Sequence, residues 1–160
     1  MSTNSCIIVK VRKGDIGTKK SFNTNTLGEV EEAKWSDGPY GEDCKDRARP
    51  VKIGSDYIAI YCHWDGFPSS VGAALKNGFN SYEKALNLVL GGSCSYIESD
   101  KVLRYSTRKE LTTTWTSIKP TQAKDVNRLL ERYCVPYSYL YTEENGWQVN
   151  DNNGEGFKDF

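Results

Sequence analysis

Residues 56–62, Asp-Tyr-Ile-Ala-Ile-Tyr-Cys, run into Asp65-Gly66-Phe67-Pro68 within three residues. An apolar run of that length, rich in β-branched and aromatic residues, predicts a strand. The Asp-Gly and Pro punctuation predicts that it ends abruptly. Ser69 or Ser70 is then placed to cap a helix that carries Val71, Ala74 and Leu75 toward Phe79. A strand, a tight turn and a helix in succession restrict the chain to the mixed α and β classes.

The flanking sequence extends this pattern. Cys6-Ile7-Ile8-Val9-Lys10-Val11 reads as a first strand. Asn80 or Ser81 caps a second helix with Tyr82, Ala85, Leu86, Val89 and Leu90 on one face, and Gly91-Gly92 stops it. Further strands are expected over 102–105 and 111–116. A helix is expected to start at Pro120 and to use Ala123, Val126, Leu129, Leu130 and Tyr133. Asn145-Gly146 between the segments 137–142 and 146–149 is a hairpin signal. The expected fold is therefore α+β: an antiparallel sheet of about five to six strands packed on two to three helices, in a single domain over 1–160. Residues 12–53 are rich in glycine and mixed charge, with too few apolar residues for a core of their own, and read as an insertion. The segment 29–35 fits either a short helical turn or a strand. The tail 150–160 is polar and expected to fray, unless Phe157 and Phe160 dock.

Charge and cysteine usage narrow the function classes. The 21 basic and 21 acidic residues cancel, so no global field draws the chain to nucleic acid or anionic membrane. No apolar run approaches the ~20 residues of a membrane span, and the opening Met1-Ser2-Thr3-Asn4-Ser5 has no signal-peptide pattern. The 5 cysteines are widely spaced without a CxxC, which fits small core residues of a reducing compartment. The expected location is the cytoplasm.

Tyr61-Cys62-His63-Trp64-Asp65-Gly66-Phe67-Pro68 concentrates the 1 histidine with a thiol, an indole and a carboxylate. One histidine is a poor start for a zinc site, which needs three or four ligands. No metal and no cofactor is expected. A cysteine–histidine hydrolase would need a thiol facing His63, whereas strand alternation turns Cys62 to the opposite face. No catalytic residues are assigned, and the balance leans against an enzyme. Two readings of the motif remain open. In one it is architecture: Asp65 accepts backbone N–H groups, Trp64 packs beneath the helix, and His63 bonds to the loop after Gly92. In the other His63, Trp64, Asp65, Ser69 and Ser70 form a binding site, with the helix N-terminus taking a phosphate or nucleotide. Tyrosines suit single-stranded nucleic acid or a protein partner, and the neutral charge favours protein.

The octapeptide, with Ile60 before it, resembles the Ile-Tyr-Cys-His-Trp-Asp-Gly-Tyr-Pro signature of a family of small bacteriophage and prophage proteins. Met1-Ser2-Thr3-Asn4-Ser5-Cys6-Ile7, Gly72 with Leu75, Tyr82–Leu86, Tyr137–Tyr141 and Gly146-Trp147 are similar to its other recurrent features. The chain departs from it in the insertion at 12–53 and in Gly92, where the family has aspartate. Arg104 and Arg108 only loosely echo its arginine-rich stretch. The resemblance implies an accessory protein of infection that binds a macromolecular partner in the host bacterial cytoplasm, above all a host protein. That class includes inhibitors of host defence such as anti-CRISPR proteins. Trp35, Tyr40, Arg47 and Arg49 are the expected partner surface, because added loops carry specificity on a retained scaffold. The alternatives are a small enzyme or nucleotide-binding protein built on His63 and Asp65 beside Ser69-Ser70, and a virion or assembly component.

Overall fold

A computed structural model describes residues 3–22, 29–32, 50–99, 101–104, 119–152 and 154–160. The α+β class holds. A mixed sheet runs β10-β9-β1-β5-β6-β7-β3, with β8 also paired to β5. Its strands are β1 (Ser5–Lys10), β3 (Glu29–Glu32), β5 (Tyr57–Cys62), β6 (Cys94–Ile97), β7 (Lys101–Arg104), β8 (Thr121–Ala123), β9 (Tyr137–Thr142) and β10 (Gly146–Asn150). A two-stranded ribbon of β2 (Lys19–Lys20) and β4 (Val51–Lys52) lies apart from it. The helices are α1 (Ala73–Gly78), α2 (Tyr82–Leu90) and α3 (Val126–Tyr133).

The antiparallel expectation is met between β1 and β5 and in the β9–β10 hairpin, but not throughout. β1 pairs parallel to β9, β5 parallel to β6, and β3 parallel to β7. For β5 and β6 the reason is connectivity: α1 and α2 cross between them, and a crossover returns the chain in the same direction.

β1, β5 and β9 are buried on both faces. Ile7, Val9, Ile58, Ile60 and Cys62 face a core shared with Val71, Leu75, Phe79, Leu86 and Val89. Cys6, Ile8, Ala59 and Tyr61 face a second core with Leu129 and Tyr133. The alternation of strand side chains thus divides the sheet between α1 and α2 on one side and α3 on the other.

Local signals place several boundaries. Ser81 caps α2, its Oγ accepting from the Lys84 N–H at 3.2 Å. Gly92, at φ 84°, follows the helix end. The sequence reading fails at 119–125. Pro120 does not begin a helix; Thr121–Ala123 pairs with β5, and Asp125 is the cap, its Oδ1 accepting from the Asn127 N–H at 2.9 Å. β6 meets β5 in register only at Cys62, which leaves 57–59 an open edge that β8 fills. The expected strand at 111–116 lies outside the described residues.

The tail returns to the fold. Val149 and Lys158 exchange backbone hydrogen bonds of 2.9 Å, Phe157 packs on the second core, and Phe160 lies 5.7 Å from the Tyr139 ring. A Cβ on Gly72 would sit 2.8 Å from Phe160 and 3.1 Å from Tyr139, so glycine makes room for both rings.

Candidate functional site

The antiparallel pairing of β1 with β5 brings the end of β5 beside the start of β1, and the parallel β9 adds its own start there. The 63–72 segment is built at this corner. The His63 N–H donates to the Cys94 carbonyl at 3.2 Å and the Trp64 N–H to that of Ser95 at 2.8 Å, so the backbone follows β6 beyond Cys62. Asp65 then turns the chain in the left-handed region at φ 55°, a conformation that Asp tolerates better than most residues.

Gly66 is the tightest point. A Cβ there would lie 2.8 Å from the Thr3 carbonyl, 2.9 Å from that of Asn4 and 2.9 Å from the Ser5 Cβ. The Gly66 N–H donates to Thr3 O at 2.8 Å, and the Tyr139 hydroxyl donates to Gly66 O at 2.6 Å. The turn is therefore held by β1 on one side and by a buried tyrosine of β9 on the other.

His63 is 9% exposed. Its Nδ1 shares a 2.7 Å hydrogen bond with the Tyr61 hydroxyl, and its ring meets Trp64 edge-on at 4.7 Å. Tyr61 and His63 stand two residues apart, hence on one face of the strand. Burial lowers the imidazole pKa, which favours the neutral ring. His63 and Asp65 make no ion pair with each other. The expected hydrogen bond from His63 to the segment after Gly92 is made by its backbone N–H to the Cys94 carbonyl, while the ring turns to Tyr61. Trp64 does not pack beneath the helix; it is 47% exposed. Asp65 takes part in the turn through its backbone, its carbonyl accepting from the Val71 N–H at 3.1 Å.

Ser69 and Ser70 are not caps. The helix begins two or three residues earlier, with Phe67 in the cap position, Pro68 in the first turn and a π-helical turn over Pro68–Gly72 leading into α1. Proline suits that place, since its missing N–H is one that a helix start leaves unpaired. The N–H groups of Ser70, Val71 and Gly72 are already bonded to Phe67 O, Asp65 O and Phe67 O at 2.9, 3.1 and 3.3 Å. Ser69 and Ser70 instead line an open depression of ≈ 420 Å³ with Asn77, Tyr96, Glu98 and Ser99, and among the described residues no basic side chain belongs to its wall. An anion would meet occupied donors and a carboxylate there, so this helix start lacks the chemistry of a phosphate site.

The segment offers solvent two aromatic side chains, Trp64 at 47% and Phe67 at 44% exposure; they are the exposed large hydrophobics among the described residues. Phe67 leans on Tyr137, with ring centroids 5.8 Å apart. Trp64 was a candidate beside His63 and Asp65; Phe67, in the same motif, and Tyr137 were not, since sequence gives no sign of which aromatics stay outside a core. Trp35, Tyr40, Arg47 and Arg49 lie outside the described residues. No group of three or more metal-ligating side chains occurs among the described residues.

A second polar cluster, also unforeseen, ties β1 to α2 and the hairpin. The Arg12 guanidinium grips Glu143 with two 2.7 Å bonds, reaches Glu83 at 3.1 Å and lies 4.1 Å above the Tyr82 ring. The Tyr82 hydroxyl donates to Asp15 Oδ2 at 2.6 Å and accepts from the Arg12 N–H at 3.0 Å. The Arg12 hydrogen bond lowers the Glu143 pKa, and the Tyr82 hydroxyl lowers that of Asp15. Arg12 pairs with both glutamates, and Asp15 pairs with Lys20 at 3.4 Å as well as with Tyr82, which describes a brace rather than a ligand site.

Among the described residues no helix is long and apolar enough to cross a membrane. The chain matches no protein-family model, no curated protein and no solved structure.

Proposed function

We propose that this chain is a binding protein whose partner is a macromolecule, in first place a protein, and that Trp64 and Phe67 anchor the contact. The observation that carries the reading is their exposure on a turn that is itself rigidly held. Aromatic side chains dominate the binding energy of protein interfaces, and a fixed scaffold spares the entropy of ordering them. The rest of the motif supports them: Tyr61 holds His63, Tyr139 holds Gly66, and β6 holds the backbone of His63 and Trp64.

The resemblance of Ile60–Pro68 to the bacteriophage signature supplies the biological setting of this proposal: an accessory protein acting on a host protein in the bacterial cytoplasm, as inhibitors of host defence do. The segment with Trp35, Tyr40, Arg47 and Arg49 is a second candidate contact on the same partner. An enzyme on His63 and Asp65 is disfavoured, since the two side chains do not meet and His63 spends its Nδ1 on Tyr61.

A pull-down of tagged protein from bacterial lysate, with and without nuclease, tests the class of partner. The expected result is a stoichiometric protein that survives nuclease treatment. Retention of nucleic acid alone, lost with nuclease, contradicts the proposal.

A further inference from the structure

Cys62 and Cys94 are the single in-register pair between β5 and β6. Both are fully buried, both lie in the same core beneath α1 and α2, and both are free thiols. Adjacent strands run about 4.8 Å apart, which falls within the Cα separation of roughly 4.4–6.8 Å that a disulfide spans. In-register positions on one face of the sheet set the two side chains next to each other. Cys62 Sγ makes long contacts of 3.8 Å to Trp64 O and 3.9 Å to Ser95 O, and Cys94 Sγ one of 3.9 Å to Tyr61 O. Cys6 faces the opposite core, and Cys134 is exposed. Neither competes for this pairing within the fold; Cys44 lies outside the described residues.

We propose that Cys62 and Cys94 are a built-in oxidation site, closed to a disulfide by a peroxide, which fastens the root of the Trp64–Phe67 turn to β6. One thiolate sulfur attacks a peroxide oxygen, breaking the O–O bond; it becomes a sulfenic acid, and the first water leaves. The second thiol displaces hydroxyl from that sulfur as the second water, forming the S–S bond. In sum the two thiols give up two protons and two electrons, and one hydrogen peroxide becomes two waters. The neighbouring Cys94 thiol and burial raise the Cys62 pKa, so the reaction is slow at neutral pH and proceeds through rare local opening of the core around the pair. The inference stands apart from any partner, since its readout is the protein's own mass.

The test is to expose the purified, folded chain to hydrogen peroxide, quench free thiols, and map peptides without reduction. The expected product is a monomer lighter by 2 Da whose linked peptides join Cys62 to Cys94. Its melting temperature should rise by roughly 5–10 °C, as a cross-link across a buried strand pair allows. Recovery of both residues as thiols after Cys134 has been fully oxidised overturns the proposal, as does a map linking either residue elsewhere. A Cys44→Ser/Cys134→Ser background removes both of those cysteines as a source of intermolecular links and leaves the buried pair untouched.

Discussion

At the scale of single residues, the motif is a set of buried obligations surrounding two exposed rings. His63 is accessible enough to titrate yet buried enough to resist it. Its folded pKa is lowered, so the unfolded chain binds the proton first. The stabilisation is therefore complete above the unfolded value of about 6.5 and is lost as pH falls from there through the lowered folded value. Unfolding midpoints measured from pH 8 to pH 5 should fall in that window, and the fall should flatten in His63→Gln. Equal slopes in both proteins would place the titration elsewhere. Tyr61→Phe removes the partner of His63 Nδ1 and should destabilise by roughly 1–3 kcal/mol, the cost of an unpaired buried polar group. Gly66→Ala forces a methyl against three neighbours at 2.8–2.9 Å and should cost about 1–3 kcal/mol by denaturant titration. An alanine variant as stable as the parent would show that β1 can shift there.

At the scale of elements, legibility followed range. Ser81, Gly92 and Asn145-Gly146 act within a few residues, so the start and end of α2 and the β9–β10 hairpin could be read directly. Pro120 misled because proline is equally at home ahead of a strand, and what makes Thr121–Ala123 a strand is the open edge of β5, some sixty residues away in sequence. The parallel pairing of β1 with β9 depends on the same kind of distant partner. The site divides in the same way. Alternation placed Cys62 opposite His63, but nothing local announces that Tyr139 will donate to Gly66 or that Glu143 will receive Arg12. The Arg12 brace carries its own prediction. Arg12→Ala should lower the melting temperature, and added salt should narrow the gap between parent and variant, since exposed pairs are screened. Below about pH 4.3, the ordinary glutamate value, the gap should close further as Glu143, whose folded pKa is lowered, loses its charge. A gap indifferent to salt and acid would mean that Arg12 acts through packing on Tyr82.

At the scale of the whole molecule, the sheet is closed on both faces by helices, with described apolar side chains turned inward almost everywhere except at one corner. Three strand ends meet at that corner, and the chain crosses it in a turn too tight for any residue but glycine at 66. Trp64 and Phe67 are what the corner shows to solvent. The central claim is that these two rings bind, and the most direct measurement is retention of the wild-type protein's captured partner by the double variant Trp64→Ala/Phe67→Ala, with thermal unfolding recorded on the same samples. The account predicts that the variant loses the partner while its stability changes by only about 1 kcal/mol, because the rings are half exposed. Retention of the same partner at the same stoichiometry by a folded variant would contradict it.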